Sequence, residues 1–303
     1  MYTSTNLLKL VYPPISNQFA EWLWEVRAVR EYVKKSKLYM LAQRREVLFR
    51  NYDVVSNKIL FDLVCGEYER KNLSICISEL IGNYDSPIEI ELGPRSIKIY
   101  NPQTPQLESL YWATTDKVLF DSWRNRLFIN GLDDTSPFTK YNLYYVGISK
   151  EGDSFSRLFE NGHKNRLRIL TNETQYSPTA RLSDELYIFL FDIDDYAVKI
   201  LTEDDSTPPG FLDKKTLAAD AEKAFVKILQ SKYNIQKYPS YPKGADGLFG
   251  SGLTSYSYMI DEDITFLTAT SKIRGAHYLV PNDLRSYDFI HVKGEDVKIV
   301  SGG

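Results

Sequence analysis

Apolar residues recur at steps of three and four along the first part of the chain. Ser16 or Asn17 can cap a helix there. The apolar positions that follow are Phe19, Leu23, Val26, Val29 and Val33. This spacing predicts a helical segment over residues 16–50 with one buried face. Between residues 24 and 50, eight Lys and Arg stand against three Glu, so the polar face is either simply solvated or faces phosphate.

Alternation of apolar and polar residues predicts strands further along. The stretch SPIEIELGPRSIKIYNP alternates on both sides of Gly93-Pro94, which is typical of a hairpin. Residues 109–115 and 141–148 predict two more strands, and residues 288–300 predict a second hairpin. The nearly continuous apolar run at 185–193 predicts a strand buried on both faces.

Helix and loop signals complete the pattern. A short helix is predicted after residue 150, with Asp153 or Ser154 as its cap and Gly162 at its end. A longer helix is predicted over 216–232. Residues 202–210 and the Gly-rich stretch 243–252 predict loops, and the latter lacks the G-K-[ST] of a P-loop. The turn-rich stretch 101–106 predicts a boundary between an N-terminal helical or α+β domain (1–104), for target recognition or assembly, and a second domain (105–303).

Composition limits the function classes. The 303 residues have a formal net charge of −3, so any nucleic-acid site must come from local clustering of cations. The two cysteines form no CxxC pair and the three histidines are scattered, which argues against a structural zinc site and for free thiols. The first residues do not resemble a signal peptide, and no apolar run is long enough to span a membrane. We therefore expect a cytoplasmic protein without membrane contact.

An ordered set of motifs is similar to the GIY-YIG nuclease superfamily over about residues 109–236. Tyr145-Val146-Gly147 ends a predicted strand, Arg157 lies on the following helix, and His163 comes shortly after it. A later helix carries Glu222, and Asn234 follows twelve positions on. The resemblance implies an α+β fold with a small mixed or antiparallel sheet flanked by helices.

The resemblance also implies a role for each of these residues. Tyr145 would orient or deprotonate the attacking water, and Arg157 would bind the scissile phosphate. Glu222 would hold Mg²⁺ or Mn²⁺, and helical spacing places it at the edge of the buried face. His163 would contact phosphate or help the base. Asn234 would pin a loop near the metal or the base.

No G-I-Y motif stands just upstream of Tyr145, so the first tyrosine of the family pattern is open. Tyr111 fits if residues 116–140 are an insertion in the usual short hairpin. Tyr144 is the second choice, although it faces the other side of the strand. The remaining candidates for substrate binding are Lys150, Lys164, Arg166, Arg168 and Asn234.

The resulting hypothesis is a metal-dependent endonuclease that acts on nucleic acid, DNA rather than RNA, in restriction or anti-phage defence. Two alternatives stay open. One is a catalytically inactive nucleic-acid-binding or interaction protein on the same fold, and the other is a nuclease effector gated by a ligand. Cutting both strands with one active site per chain usually calls for two protomers, so a homodimer is expected.

Overall fold

The structure is a computed structural model that describes residues 2–104, 109–160, 162–199, 212–277 and 286–302. The helices in these ranges are α1 (Asn17–Leu23), α2 (Arg27–Val33), α3 (Ile77–Ile81), α4 (Thr115–Trp123), α5 (Ser154–Phe159), α6 (Lys164–Asn172), α7 (Leu182–Glu185) and α8 (Lys214–Leu229). The first strands are β1 (Tyr2–Leu10), β2 (Ile15–Ser16), β3 (Leu38–Gln43), β4 (Leu48–Val55), β5 (Lys58–Cys65), β6 (Tyr68–Cys76), β7 (Glu89–Leu92) and β8 (Ser96–Tyr100). The others are β9 (Ser109–Thr114), β10 (Lys140–Ile148), β11 (Leu186–Lys199), β12 (Ser255–Ile260), β13 (Thr265–Leu267), β14 (Lys272–Arg274), β15 (Tyr287–Lys293) and β16 (Asp296–Gly302).

The chain divides into two compact units. The larger unit contains Met1–Arg44, Lys140–Tyr176 and Arg181–Gly303, and the smaller contains Arg45–Thr139 with Ser177–Ala180. The smaller unit is therefore an insertion into the larger one. This division differs from the expected boundary at residues 104 and 105, because the first 44 residues belong with the C-terminal part of the chain.

A mixed sheet of ten strands forms the centre of the larger unit. Its order is β14-β13-β10-β3-β11-β1-β12-β15-β16, and β2 pairs with β11. The pairs β1–β12 and β10–β13 are parallel, and the other pairs are antiparallel. The sheet is nearly closed, since the Arg274 amide on β14 donates to the Asp288 carboxylate on β15 (2.8 Å). The class is α+β as predicted, but the sheet is larger than the small sheet that we expected.

The smaller unit contains two antiparallel sheets of three strands, β4-β5-β6 and β7-β8-β9. Phe49 and Phe61 pack edge to face in its core, with ring centroids 5.1 Å apart. The Phe49 amide donates to the Pro94 carbonyl (2.8 Å), which joins the two sheets. Cys65 is buried and Cys76 half-buried, and both are free thiols.

The prediction of one helical segment over 16–50 is wrong in its second half. Ser16 caps α1 as predicted, because its side chain accepts from the Phe19 amide (3.2 Å). After α2 the chain enters β3, in which all six residues are buried. The helical interpretation failed because a strand buried on both faces has no alternation that distinguishes it from a buried helix.

Most of the other predicted elements are confirmed. The hairpin around Gly93-Pro94 is β7–β8, the strands near 109, 141 and 185 are β9, β10 and β11, and the C-terminal hairpin is β15–β16. The Asp153 side chain caps α5 by accepting from two amides (2.9 Å each). The helix predicted over 216–232 is α8. The predicted loop at 202–210 lies outside the described residues. No helix among the described residues is long and apolar enough to cross a membrane.

Candidate active site

A polar cleft of about 980 Å³ opens in the larger unit beside the end of β10. Three residues of the predicted site line it together: Lys150, Arg157 and Glu222. They come from the loop after β10, from α5 and from α8. The tertiary structure therefore brings Glu222 into one cavity with Lys150 and Arg157, which lie at least 65 positions before it in the sequence.

Glu222 is half-buried at the edge of the buried face of α8, where helical spacing predicted it. The Tyr238 hydroxyl donates a hydrogen bond to its Oε2 atom (3.3 Å). Burial raises the pKa of Glu222 to about 7, against the opposing effects of this hydrogen bond and of the charges of Lys150 and Lys223. The carboxyl group thus ionises near neutral pH, and a cation beside it would favour the ionised form.

Arg157 and Lys150 contribute positive charge to the cleft, which Lys223 and Lys243 also line. The side chains of Arg157 and Lys150 are exposed, and Arg157 lies on the side of α5 opposite to the buried Phe155 and Leu158. A guanidinium presents a planar fork of donors that matches two oxygens of a phosphate group. These cations are suited to binding a phosphate group, whereas the Glu222 carboxylate would repel it unless a cation lay between the two anions.

Three rings form a cluster behind this cleft: Tyr39 on β3, Tyr145 on β10, and His163 at the start of α6. The ring centroids of Tyr39 and Tyr145 are 6.1 Å apart, and His163 lies 5.5 Å from the former and 5.2 Å from the latter. Tyr145 interacts with the charges of Glu222 and Arg157, so the cluster is coupled electrostatically to the cleft.

The hydrogen bonds of His163 determine the direction of donation in this cluster. Its Nδ1 atom accepts from the Arg166 amide (3.0 Å), so that nitrogen carries no proton. Burial lowers the pKa of His163 to about 4, which keeps the ring neutral. The proton must then reside on Nε2, which donates to the Tyr39 hydroxyl (2.8 Å). Because the Tyr39 hydroxyl oxygen accepts from His163, the proton of the Tyr39 hydroxyl is available to Tyr145.

Tyr145 lies beside Tyr39, and the pKa of its hydroxyl is subject to several opposing effects. Burial raises the pKa of Tyr145, as does the charge of Glu222. Hydrogen bonds from Asn165 and Tyr39, and the charge of Arg157, act in the opposite direction. The donors stabilise the phenolate form, so the arrangement makes Tyr145 a better proton acceptor than burial alone would allow.

Tyr39 was missed in the sequence, and Tyr111 was chosen in its place. β9, which carries Tyr111, pairs with β8 in the inserted unit and not with β10. The strand that pairs antiparallel with β10 is β3, with Tyr39 in register with Gly147. Tyr144, the second choice, directs its hydroxyl to Gln43 (2.7 Å). The available signal was the apolar stretch LYMLAQ, which fits a central strand as well as a helix.

The Asn234 side chain binds the backbone of β10, whereas we expected from the sequence that it would contact the substrate. Its Oδ1 atom accepts from the Val146 amide (2.9 Å) and its Nδ2 atom donates to the Val146 carbonyl (2.8 Å). The side chain therefore pins the backbone of β10 between Tyr145 and Gly147. The resemblance implied that Asn234 pins a loop near the metal or the base, whereas the segment that it holds here is a strand.

The basic residues after His163 differ in their surroundings. Lys164 is exposed. Arg166 is bound within the protein, since its Nε atom donates to Asn17 Oδ1 (2.6 Å) and its guanidinium stacks over Phe159 (4.2 Å). Arg168 is half-buried beside Tyr233 (5.6 Å to the ring centroid). Lys164 is thus the member of this group that is exposed to solvent, and the contacts of Arg166 are structural.

The described residues contain no group of three or more His, Cys, Asp or Glu that could hold a metal ion. Mg²⁺ commonly takes only one or two carboxylates from a protein and completes its shell with water and substrate phosphate. Glu222, half-buried in a polar and accessible cleft, fits that mode of binding. A Zn²⁺ site with several protein ligands does not fit the described residues.

Comparison with known proteins adds no further assignment. No protein-family model, no curated protein and no solved structure matches this chain.

Proposed function

We propose that the chain is a metal-dependent endonuclease of the GIY-YIG type, acting on DNA in restriction or anti-phage defence. The observation that carries this proposal is the pairing of β3 with β10. It sets Tyr39 beside Tyr145, next to a cleft that contains Arg157 and Glu222. The family resemblance implies a first tyrosine on the hairpin partner of the Y-V-G strand, and Tyr39 has that position.

Several features of the fold support the same proposal. β10, β3 and β11 are neighbours in an antiparallel arrangement, and α8 contributes the glutamate. The inserted segment 45–139 stands where the family would have a short turn, which explains why no G-I-Y motif lies just upstream of Tyr145. The additional strands extend the sheet beyond this three-stranded part on both sides.

The residues of the cleft allow a direct attack by water on phosphorus. Arg157 and Lys150 would hold the non-bridging oxygens of the phosphate and offset their charge. Tyr145 has a raised pKa and is a neutral phenol at neutral pH, so it would accept a hydrogen bond from the attacking water and orient it, and the proton of that water would pass to solvent. The new P–O bond forms as the bond to the 3′ oxygen breaks, and that oxygen takes a proton from solvent. By resemblance the products carry 5′-phosphate and 3′-hydroxyl ends.

Glu222 would hold Mg²⁺ or Mn²⁺, which when bound supplies charge neutralisation at the phosphate and the leaving oxygen. The other contacts of Glu222 suit this role. The Tyr238 hydroxyl orients one of its oxygens, and the charges of Lys150 and Lys223 favour the ionised carboxylate.

The first test is nicking of supercoiled plasmid by the full chain with Mg²⁺. Glu222→Gln keeps the shape of the side chain but removes the charge, so the rate should fall roughly 100-fold or more. Glu151→Gln is the matched control, because this exposed carboxylate also lines the cleft but lies in the loop after β10. The control should keep its rate within about threefold, since no step depends on its charge.

The pH dependence gives a second measurement on the same protein. Because protons and Mg²⁺ compete for the Glu222 carboxylate, whose pKa without metal is raised to about 7, the Mg²⁺ concentration needed for half-maximal nicking should increase as the pH falls below that region. If the wild-type chain shows no metal-dependent cleavage of DNA or RNA, modified phage DNA included, the proposal fails. Metal-independent binding without cleavage would then favour the non-enzymatic alternative, and cleavage only with an added small molecule would favour the gated effector.

A further inference from the structure

Four cations lie together on α2 and on the segment that follows it: Arg27, Lys34, Lys35 and Lys37, here named the basic ridge. The first three are exposed and Lys37 is half-buried. Val29 and Val33 are buried, so α2 is anchored by its apolar side and its cations point away from the core. The ridge is not part of the motif set that indicates a nuclease.

The ridge is joined directly to the loop that forms one wall of the cleft. The Ser149 amide donates to the Lys37 carbonyl (2.9 Å), and the Ser154 amide donates to the Ser36 carbonyl (3.0 Å). The Lys37 ammonium group donates to the Gly152 carbonyl. This loop contains Lys150, which lines the cleft, so positive charge continues from the cleft onto the ridge.

Aromatic stacking fixes α2 against the helix that carries Arg157. The Trp24 ring stacks on Phe155 (5.0 Å) and on Phe159 (6.2 Å). The Arg30 guanidinium of α2 lies over the Trp24 ring, 5.9 Å from its centroid. A surface held in this way keeps a constant distance from the cleft, which a substrate-positioning surface requires.

The charge of this region differs from that of the whole chain. Residues 26–37 and 149–168 contain ten Lys and Arg against four Asp and Glu, a net charge of +6, while the chain has −3. Such a local excess attracts a polyanion even though the protein as a whole does not. The partner that matches it, and that suits the adjoining cleft, is a nucleic-acid backbone.

We infer that the basic ridge binds the phosphates of duplex DNA that flank the scissile phosphate, independently of base sequence. This inference rests on the proposed nuclease function. The seven residues of α2 extend about 10 Å, and duplex DNA carries one charge per about 1.7 Å of its axis. The ridge therefore spans a stretch of duplex with several phosphates, and such contacts fix register without reading bases.

The test measures binding of a 30-base-pair duplex by fluorescence anisotropy, between 50 and 300 mM NaCl. The full-length Glu222→Gln chain is used so that the duplex stays intact. On this background, Arg27→Gln with Lys35→Gln removes two ridge charges. Lys58→Gln with Lys71→Gln, two exposed lysines of the inserted unit, removes the same charge and is the matched control. Thermal melting confirms that both proteins fold.

The ridge variant should reduce the slope of log K against log salt by about 1.8, because each lost phosphate contact accounts for about 0.9. At 0.1 M salt its affinity should fall roughly 10- to 60-fold by the same relation. The control should stay within about threefold of the parent and keep its slope.

Other results would overturn the inference in distinguishable ways. An unchanged slope in the ridge variant, together with Glu222-dependent cleavage by the otherwise native chain, rejects the ridge and leaves the nuclease.

Trp22 and Tyr32 are exposed on α1 and α2 and could stack on unpaired bases, so a single-stranded 30-mer is the second arm. A larger loss on the single strand than on the duplex rejects the duplex as partner. Absence of both cleavage and binding rejects the ridge and the nuclease together.

Discussion

Gly147 shows how one residue sets the geometry of the tyrosine pair. A Cβ atom at this position would lie 2.5 Å from the Tyr145 ring and 2.7 Å from the Tyr39 hydroxyl oxygen. Contacts this short do not occur, so any side chain here would force the two tyrosines apart. The glycine of the Y-V-G motif is thus explained by the close approach of the two rings that it permits.

The hydrogen bond between His163 and Tyr39, and the effect of Tyr39 on the pKa of the neighbouring Tyr145, lead to a prediction at the residue scale. Tyr39→Phe keeps the ring but removes the hydroxyl, so the donor to Tyr145 is lost. Nuclease activity should fall by roughly 10- to 100-fold with the fold intact. Tyr144→Phe is the matched control, since its hydroxyl binds Gln43 and Tyr176 instead, and its activity should stay within about threefold.

A double variant tests whether His163 and Tyr39 act in series on Tyr145 or have two independent effects on activity. His163→Asn keeps a side chain that can cap α6 but removes the Nε2 donor. If both residues act through Tyr145, adding His163→Asn to Tyr39→Phe should reduce the plasmid-nicking rate little further. Multiplicative losses, or a Tyr39→Phe protein as active as wild type, would contradict the chain of donors.

At the scale of elements, α8 carries Glu222, which lines the cleft, and also holds the segment 238–248 beside the cleft. Asp220, two residues before Glu222, is fully buried. Its Oδ2 atom accepts from the hydroxyls of Tyr241 (2.7 Å) and Tyr258 (2.8 Å), and its Oδ1 atom accepts from the Leu248 amide (2.8 Å). One carboxylate thus ties α8 to β12 and to the segment 238–248, whose Tyr238 contacts Glu222.

Asp220→Asn should destabilise the protein. An amide replaces one accepting oxygen with a donor, which leaves buried tyrosine or backbone donors without an acceptor. The expected loss is about 2–4 kcal/mol in the free energy of unfolding, measured by urea titration. Asp213→Asn is the control on the same helix, because Asn also caps a helix, and its stability should change by less than about 0.5 kcal/mol. Equal stability of the two variants would show that Asp220 is not a structural tie.

At the scale of the whole molecule, the inserted unit begins and ends at neighbouring positions. Gln43 at the end of β3 pairs in register with Asn142 near the start of β10, so the chain leaves and returns at one point of the sheet. Such an insertion replaces a hairpin turn without interrupting the sheet that receives it. The organisation is therefore one unit whose chain is interrupted by the residues of a second unit.

Replacing residues 45–139 by a short turn with Asn-Gly at its tip should leave the larger unit folded. The shortened chain is expected to melt in one cooperative transition and to retain Glu222-dependent nicking of plasmid. Residues 45–139 expressed alone provide the complementary measurement, and this segment should fold as a separate unit. A shortened chain without a cooperative transition would show that the units depend on each other for stability.

Much of the element pattern followed from the sequence alone. The apolar stripe of α8, the alternation of β7–β8 and the Asp153 cap are local signals, and each led to the observed element. The sequence also predicted the positions of Arg157 and Glu222, because helical spacing places each side chain relative to a buried face. These predictions needed no knowledge of distant contacts.

Only the tertiary structure decided which strand pairs with β10. Every residue of β3 is buried, so its sequence has no polar alternation to reveal a strand, and the inserted unit separates it from its partner along the chain. The position of Tyr39 beside Tyr145 depends on that pairing, and so does the contact of Tyr39 with His163. The pattern of side chains along a segment determines its local structure. The pairing of two distant segments depends on the burial of both strands in one sheet, and a local pattern carries no information about that burial.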